Sequence, residues 1–275
     1  MRRGLAAIPG LTDEVAATNS DASLLSVVGI GAEIWYRLYT AARPPHLRPF
    51  AAFDGPGGTA PSTPADLFVH IRCDRLDLNI ELGRRVCAAF GDGVSVIEEV
   101  TGFRYLDNRD LTGFVDGTEN PAVDHRGEVA MVADEDPDWT GSSYVAIQRY
   151  IHDLAAWENL PVADQERIIA RTKADNVEFN GDAKAATAHI KRVSIKEDGK
   201  SLEVLRHSMP YGTTSEHGLY FVAYGRTPDA FELMLEQMIV GDTDGNFDHL
   251  MSYSRAVTGA SFFCPSRDWL EASAA

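Results

Sequence analysis

Three side chains in this sequence carry the types needed for acid–base and charge-stabilising chemistry: Asp116, Arg206 and His189. Asp116 stands in Gly113-Phe114-Val115-Asp116-Gly117-Thr118-Glu119-Asn120-Pro121, a carboxylate between glycines on a segment that ends in turn chemistry. Gly117 permits positive φ or a close backbone approach, so a ligand meets the acid with little bulk around it. The same local chemistry also describes a surface turn with a solvated aspartate. Arg206 belongs to a run with strand alternation. Leu202, Val204, Arg206 and Ser208 share one face, and Glu203, Leu205 and His207 the other. An arginine amid Leu and Val must reach solvent or meet an anion. A buried ion pair with Asp116 would be one purely structural answer. His189 follows a Gly/Ala-rich loop and opens a predicted strand, and small neighbours leave room beside it for something large and flat. The chain has 8 histidines, and none falls in a zinc spacing such as H-E-x-x-H.

These residues need elements to position them. Leu67 to Arg72 reads as a strand and is followed by a helical pattern with Leu76, Ile80, Gly83, Cys87 and Phe90 on one face. Leu219 to Tyr224 reads the same way and is followed by Phe231, Met234, Leu235, Met238 and Ile239 at helical spacing. A strand and amphipathic helix in each half suggest two similar α+β halves, with a boundary near 135–145. Val94 to Val100 alternates as a strand should, Tyr144 to Ile151 reads as another strand, and Leu154 to about Asp175 is helical. Ile190 to Ile195 and Leu202 to Ser208 read as a strand pair, joined through the turn Glu197-Asp198-Gly199-Lys200. Residues 41–64 and 107–137 are long loops.

Net charge is -16, from 41 acidic and 25 basic side chains, with no basic cluster, which argues against nucleic acid or an anionic membrane as partner. The 3 cysteines, Cys73, Cys87 and Cys264, make no disulfide framework. No apolar run reaches membrane-spanning length, and the start lacks a signal-peptide core, so the expected location is cytoplasmic.

Arg109 to Pro121, with its G-x-x-D-G core, resembles the signature of the dye-decolourising peroxidases. Four further stretches agree in order: Gln165 to Lys173, His189 to Arg192, Leu205 to Gly212 and Ala256 to Phe263. The match is nearest the compact bacterial type B. It implies an α+β fold of two tandem ferredoxin-like halves with antiparallel sheets and peripheral helices, barrel-like in arrangement. These would be 1–140, with the G-x-x-D-G loop, and 141–275, the main haem-binding half. It implies haem b with His189 as the proximal iron ligand. A carboxylate would orient that histidine: Asp248, with Asp242 and Asp244 as rivals. Asp116, Arg206 and Ser208 would form the distal side. Arg206, Gly117, Thr118 and Glu119 would line the cofactor, and Phe221 would close the pocket. Some relatives carry Asn where this chain has Ser208.

The resemblance implies oxidation of dyes, phenolics or other small reductants by hydrogen peroxide, through a ferryl haem. Asp116 would carry the proton and Arg206 would offset the charge on the leaving oxygen. Arg206 should hold the Asp116 pKa low unless burial raises it. An acidic optimum for substrate oxidation follows. Large dyes would be reached through surface aromatics, with Trp139, Trp157, Tyr144, Tyr150, Tyr211 and Tyr220 as candidates. Acidic residues could also hold manganese. Two other readings compete: a haem-handling protein for storage, delivery or iron release, and a haem-free protein with a structural Arg206–Asp116 bridge. The short C-terminal segment points to a free homo-oligomer outside any nanocompartment.

Overall fold

The computed structural model describes residues 1–274. The chain runs α1 (Arg2–Ala17), β1 (Leu25–Gly31), α2 (Trp35–Leu38), β2 (Phe53–Gly55), β3 (Gly58–Ala60), β4 (Leu67–Arg72) and α3 (Leu76–Phe90). A long irregular stretch follows, with the short α4 (Arg126–Ala130) inside it. Then come β5 (Ser143–His152), α5 (Leu154–Glu158), α6 (Val162–Ile169), α7 (His189–Val193), β6 (Lys196–Glu197), β7 (Lys200–Ser201), β8 (Leu205–Arg206) and β9 (Met209–Gly212). The last elements are β10 (His217–Gly225), α8 (Asp229–Ile239), β11 (Ser254–Ala256), β12 (Ala260–Cys264) and α9 (Arg267–Ala272).

This is an α+β fold on one antiparallel sheet of 8 strands, in the order β4-β1-β12-β5-β10-β8, with β11 beside β5 and β9 beside β10. β5 lies at its centre and is buried on both faces. Ala146 and Tyr150 point toward α8, while Val145 and Ile147 point into a second apolar layer with Val222, Tyr224 and Phe262. α8 seats Phe231, Leu235 and Ile239 on the first face at i, i+4, i+8. Each such burial stabilises by about 1.5–3 kcal/mol. The sheet curls strongly. β4 takes its backbone bonds from β1, yet His70 on β4 touches Tyr224 on β10, and Phe68 stacks on Phe262 at 5.4 Å. Its far edges therefore approach each other around an enclosed layer.

Several expected elements differ. Ile190 to Ile195 is not a strand: His189 opens the helix α7. The turn Glu197 to Lys200 does form, but it joins only the two-residue strands β6 and β7. Leu202 to Ser208 contributes just β8, and Val94 to Val100 is irregular and mostly exposed. The helix expected over 154–175 is two short ones, parted at Pro161. On α3 the buried residues are Leu78, Leu82 and Val86, while Leu76 and Ile80 are exposed. The helix has apolar residues on two sides, and α1 and β4 cover the other one.

Candidate active site

His189 and the Asp116 loop are brought together by one apolar cluster. Phe114 of the loop packs with Ala188 and Ile190, which flank His189, and with Trp157, Ile169 and Ala170. The loop folds back on itself between Arg109 and Val115, and Gly113 turns it with φ +87°. A Cβ at Gly113 would meet only the flexible end of the Lys173 side chain, at 2.4 Å, so it is the positive φ that calls for glycine. Trp157 Nε1 donates to the Thr112 carbonyl at 2.9 Å. Asp110 meets His152 Nε2 at 3.2 Å, and His152 Nδ1 in turn meets Ser254 Oγ at 2.9 Å. That buried chain ties the loop to β5 and β11.

Of the three candidate carboxylates, Asp248 is the one beside His189, with Oδ2 2.6 Å from Nδ1. Asp248 is fully buried, and its Oδ1 accepts from the Leu250 amide at 2.9 Å. Its own amide donates to the Met238 carbonyl at 3.1 Å. Asp242 instead holds the buried Arg192 of α7 at 2.8 Å, which fixes the same helix from its other end. Asp244 makes no contact with His189 among the described residues. Among those residues His189 Nε2 also has no hydrogen-bond partner.

On β8, Arg206 pairs with Ala223, so its side chain leaves the same sheet face as Phe221 and Tyr150. Asp116, Gly117, Arg206 and Ser208 line one cavity of about 160 Å³. No ion pair within 4.0 Å joins Asp116 to Arg206 among the described residues, and the Arg206 guanidinium makes no hydrogen bond there. The structural bridge considered from the sequence is therefore not formed; both charges face the cavity. Burial pushes the Asp116 carboxyl above its ordinary value. The Arg206 charge pulls the other way and loses, while Asp110 adds to the rise. Ser208 Oγ accepts from the Val222 amide at 3.3 Å while lining the cavity. Phe221 stacks on Phe231 of α8 at 5.4 Å. Thr118 and Glu119 are exposed, and Glu119 pairs with Arg171 at 3.2 Å. Of the six aromatics considered as electron carriers, Trp139, Trp157, Tyr144, Tyr150 and Tyr211 are buried, and Tyr220 is half-buried.

Sequence reasoning missed Asn120. Its side chain clamps the backbone of Arg206 from both sides: Oδ1 accepts from the Arg206 amide at 2.7 Å, and Nδ2 donates to the Arg206 carbonyl at 3.0 Å. It thus acts as an extra strand residue against β8 and sets the distance between Asp116 and Arg206. Gly117, at φ +78°, allows the turn that brings Asn120 round. Asn120→Ala should keep haem binding but lower the rate of haem oxidation by peroxide about ten-fold, through misplacement alone. Stopped-flow absorbance checks this.

Residues 1–104 match the family description "Dyp-type peroxidase, N-terminal" and residues 107–269 match "Dyp-type peroxidase, C-terminal". The chain belongs to the Dyp-type peroxidase family. A dye-decolorizing peroxidase of Mycobacterium tuberculosis is 44% identical over 97% of this chain and 81% of that protein. A variant of DypB from Rhodococcus jostii RHA1, solved in complex with haem, is 45% identical with a TM-score of 0.94, covering 97% of this chain and 87% of that one. The encapsulated DyP-type peroxidase of Mycobacterium smegmatis is 41% identical with a TM-score of 0.95, covering 98% and 88%. Membership carries the reaction class: a haem peroxidase driven by hydrogen peroxide, not a haem-handling protein.

Proposed function

We propose that this Dyp-type peroxidase binds haem b through His189 Nε2 and activates hydrogen peroxide with Asp116 and Arg206. The observation that carries this reading is the pair of unbridged opposite charges facing one cavity. The histidine fits an iron ligand. A buried carboxylate takes its Nδ1, fixing the tautomer that leaves the Nε2 lone pair free. Haem supplies an iron that binds peroxide and stores the oxidising equivalents.

The chain's own residues do the rest. Asp248 holds the His189 ring and strengthens its donation to a metal. Ionised Asp116 takes a proton from peroxide and returns it to the leaving oxygen. Arg206 stabilises negative charge developing at that oxygen. Ser208 supplies a hydroxyl to the same cavity. Gly117, with Thr118 and Glu119 beside it, forms the loop edge against the cofactor, and Phe221 lies on the sheet face behind it. Reductants are small aromatics or dyes. We also assign a cytoplasmic location and a homo-oligomer, the latter because the exposed Leu76 and Ile80 leave an apolar strip on α3 for a second copy to cover. Among the described residues no helix is long and apolar enough to cross a membrane.

Titrating the purified protein with haem tests the reading. A Soret band that shifts on adding peroxide and recovers with a dye is expected. Absence of the band in reconstituted protein, or a band indifferent to peroxide, contradicts it.

The raised Asp116 pKa predicts a pH profile. The base must be ionised, so the haem oxidation rate falls with falling pH, through a pKa above the ordinary 3.8 of aspartate. Arg206→Leu removes an influence that lowers this pKa and should move the limb to still higher pH. Asp116→Asn should flatten it. The buried charge also costs stability. Since folding raises this pKa, the folded state holds its proton more tightly, and stability is lost as pH rises through the folded value. Asp116→Asn should therefore raise Tm at neutral pH but not at a pH where aspartate is protonated in both states.

A further inference from the structure

The seam where the sheet curls shut holds a group of side chains that peroxide activation does not use. Tyr224 is buried on β10, and its hydroxyl lies 2.8 Å from His70 Nδ1 on β4. The rings are stacked with an interplanar angle of 12°. No other hydrogen-bond partner reaches the Tyr224 hydroxyl among the described residues, and with the imidazole proton on Nε2 the phenol donates to Nδ1. His207 stands edge-on to Tyr224 at 5.9 Å, and its Nε2 lies 3.3 Å from Arg72 Nη1. Burial, with the Arg72 charge beside it, pushes His70 down to about 3. The resting imidazole is therefore neutral, and its Nε2-protonated tautomer presents the Nδ1 lone pair to the phenol. Arg72 and His207 also line the cavity that holds Asp116 and Arg206. Tyr224 neighbours Ala223, which stands opposite Arg206. The pair thus sits one sheet layer behind the proposed haem face.

We infer that Tyr224 and His70 form a proton-coupled redox pair that stores one oxidising equivalent as a protein radical. This rests on the peroxidase reading, because the oxidant is the haem after its reaction with hydrogen peroxide. Tyr224 gives one electron to the haem, which is reduced by one equivalent. The phenolic O–H bond breaks, and the proton moves to His70 Nδ1, leaving a neutral tyrosyl radical and an imidazolium. An oxidised phenol is a far stronger acid than any imidazolium, so the transfer runs downhill despite Arg72. The reverse step takes an electron from an external reductant and the proton back from Nδ1. Of the described tyrosines, Tyr224 alone has its hydroxyl within hydrogen-bond distance of a histidine ring nitrogen.

Freeze-quench electron paramagnetic resonance of the haem-loaded protein, mixed with peroxide and no reductant, tests this. Ring-deuterated tyrosine identifies a tyrosyl signal by its narrowing. The wild type should give that signal, and Tyr224→Phe should lose it while the optical spectrum still reports haem oxidation. His70→Gln keeps a hydrogen-bond acceptor but cannot take the proton, and should lose the signal as well. A tyrosyl signal undiminished in Tyr224→Phe, or one unaffected in His70→Gln, overturns the pair while leaving the peroxidase reading intact. A wild-type haem spectrum unmoved by peroxide overturns both.

Discussion

Arg206→Leu should lower the second-order rate of haem oxidation by peroxide by about 10²–10³-fold, the usual cost of removing one preorganised charge from a reacting oxygen. The guanidinium makes no protein hydrogen bond among the described residues, so its removal breaks no internal network. Its backbone, held by Asn120, should keep β8 in place. Haem binding and Tm should therefore change little, and the loss should fall on the peroxide step. The effect should be at least as large as that of Asp116→Asn, because the charge acts on the bond as it breaks. Stopped-flow traces of both variants over a range of peroxide concentrations rank the two.

The second large effect is expected at Asp248. Its two oxygens serve two donors, His189 Nδ1 and the Leu250 amide. Asn offers one acceptor and one NH₂ in the same space, so one of those donors is left facing another donor. Second-shell changes of this kind cost about 10–100-fold in metal affinity or activity. Asp248→Asn should weaken haem binding by about that factor. It should also raise the reduction potential of the bound iron, because a less anionic partner makes His189 a poorer electron donor. Competitive haem transfer and a spectroelectrochemical titration measure the two effects separately. A merely structural role would move Tm but not the potential.

How much of this was legible in the sequence depended on the range of the interaction. β5 and β10 were readable because each carries a continuous apolar, β-prone run that fits a strand buried on both faces. The buried face of α8 was readable because its apolar residues fall on one stripe. α3 was misread because it has two apolar stripes, and only packing against α1 and β4 decides which is covered. α1 went unnoticed because Gly4, Pro9 and Gly10 interrupt a pattern whose buried members are Leu5, Ile8, Thr12 and Val15. The strand expected after His189 is a helix because Ala188 and Ile190 pack into the Phe114–Trp157 side of the molecule, an influence that local propensity does not carry.

At the site, residue types told of Asp116, Arg206 and His189, and the resemblance gave them roles. What local pattern could not tell was the contest at Asp116, where burial outweighs the Arg206 charge. Asn120 was equally hidden. Its place three residues after Gly117 hinted at a turn, but its two bonds to Arg206 span 86 positions. The His70–Tyr224 contact likewise spans 154 positions and exists only because the sheet curls.

The central claim is that Asp116 and Arg206 act together on one peroxide molecule in one cavity. A double-mutant cycle on the stopped-flow rate of haem oxidation, using Asp116→Asn, Arg206→Leu and both together, tests it most directly. The account predicts that each single variant is slow and that the double variant loses clearly less than the product of the two, because groups serving one step are not additive. Strict additivity, or single variants that react as fast as the wild type, would contradict it.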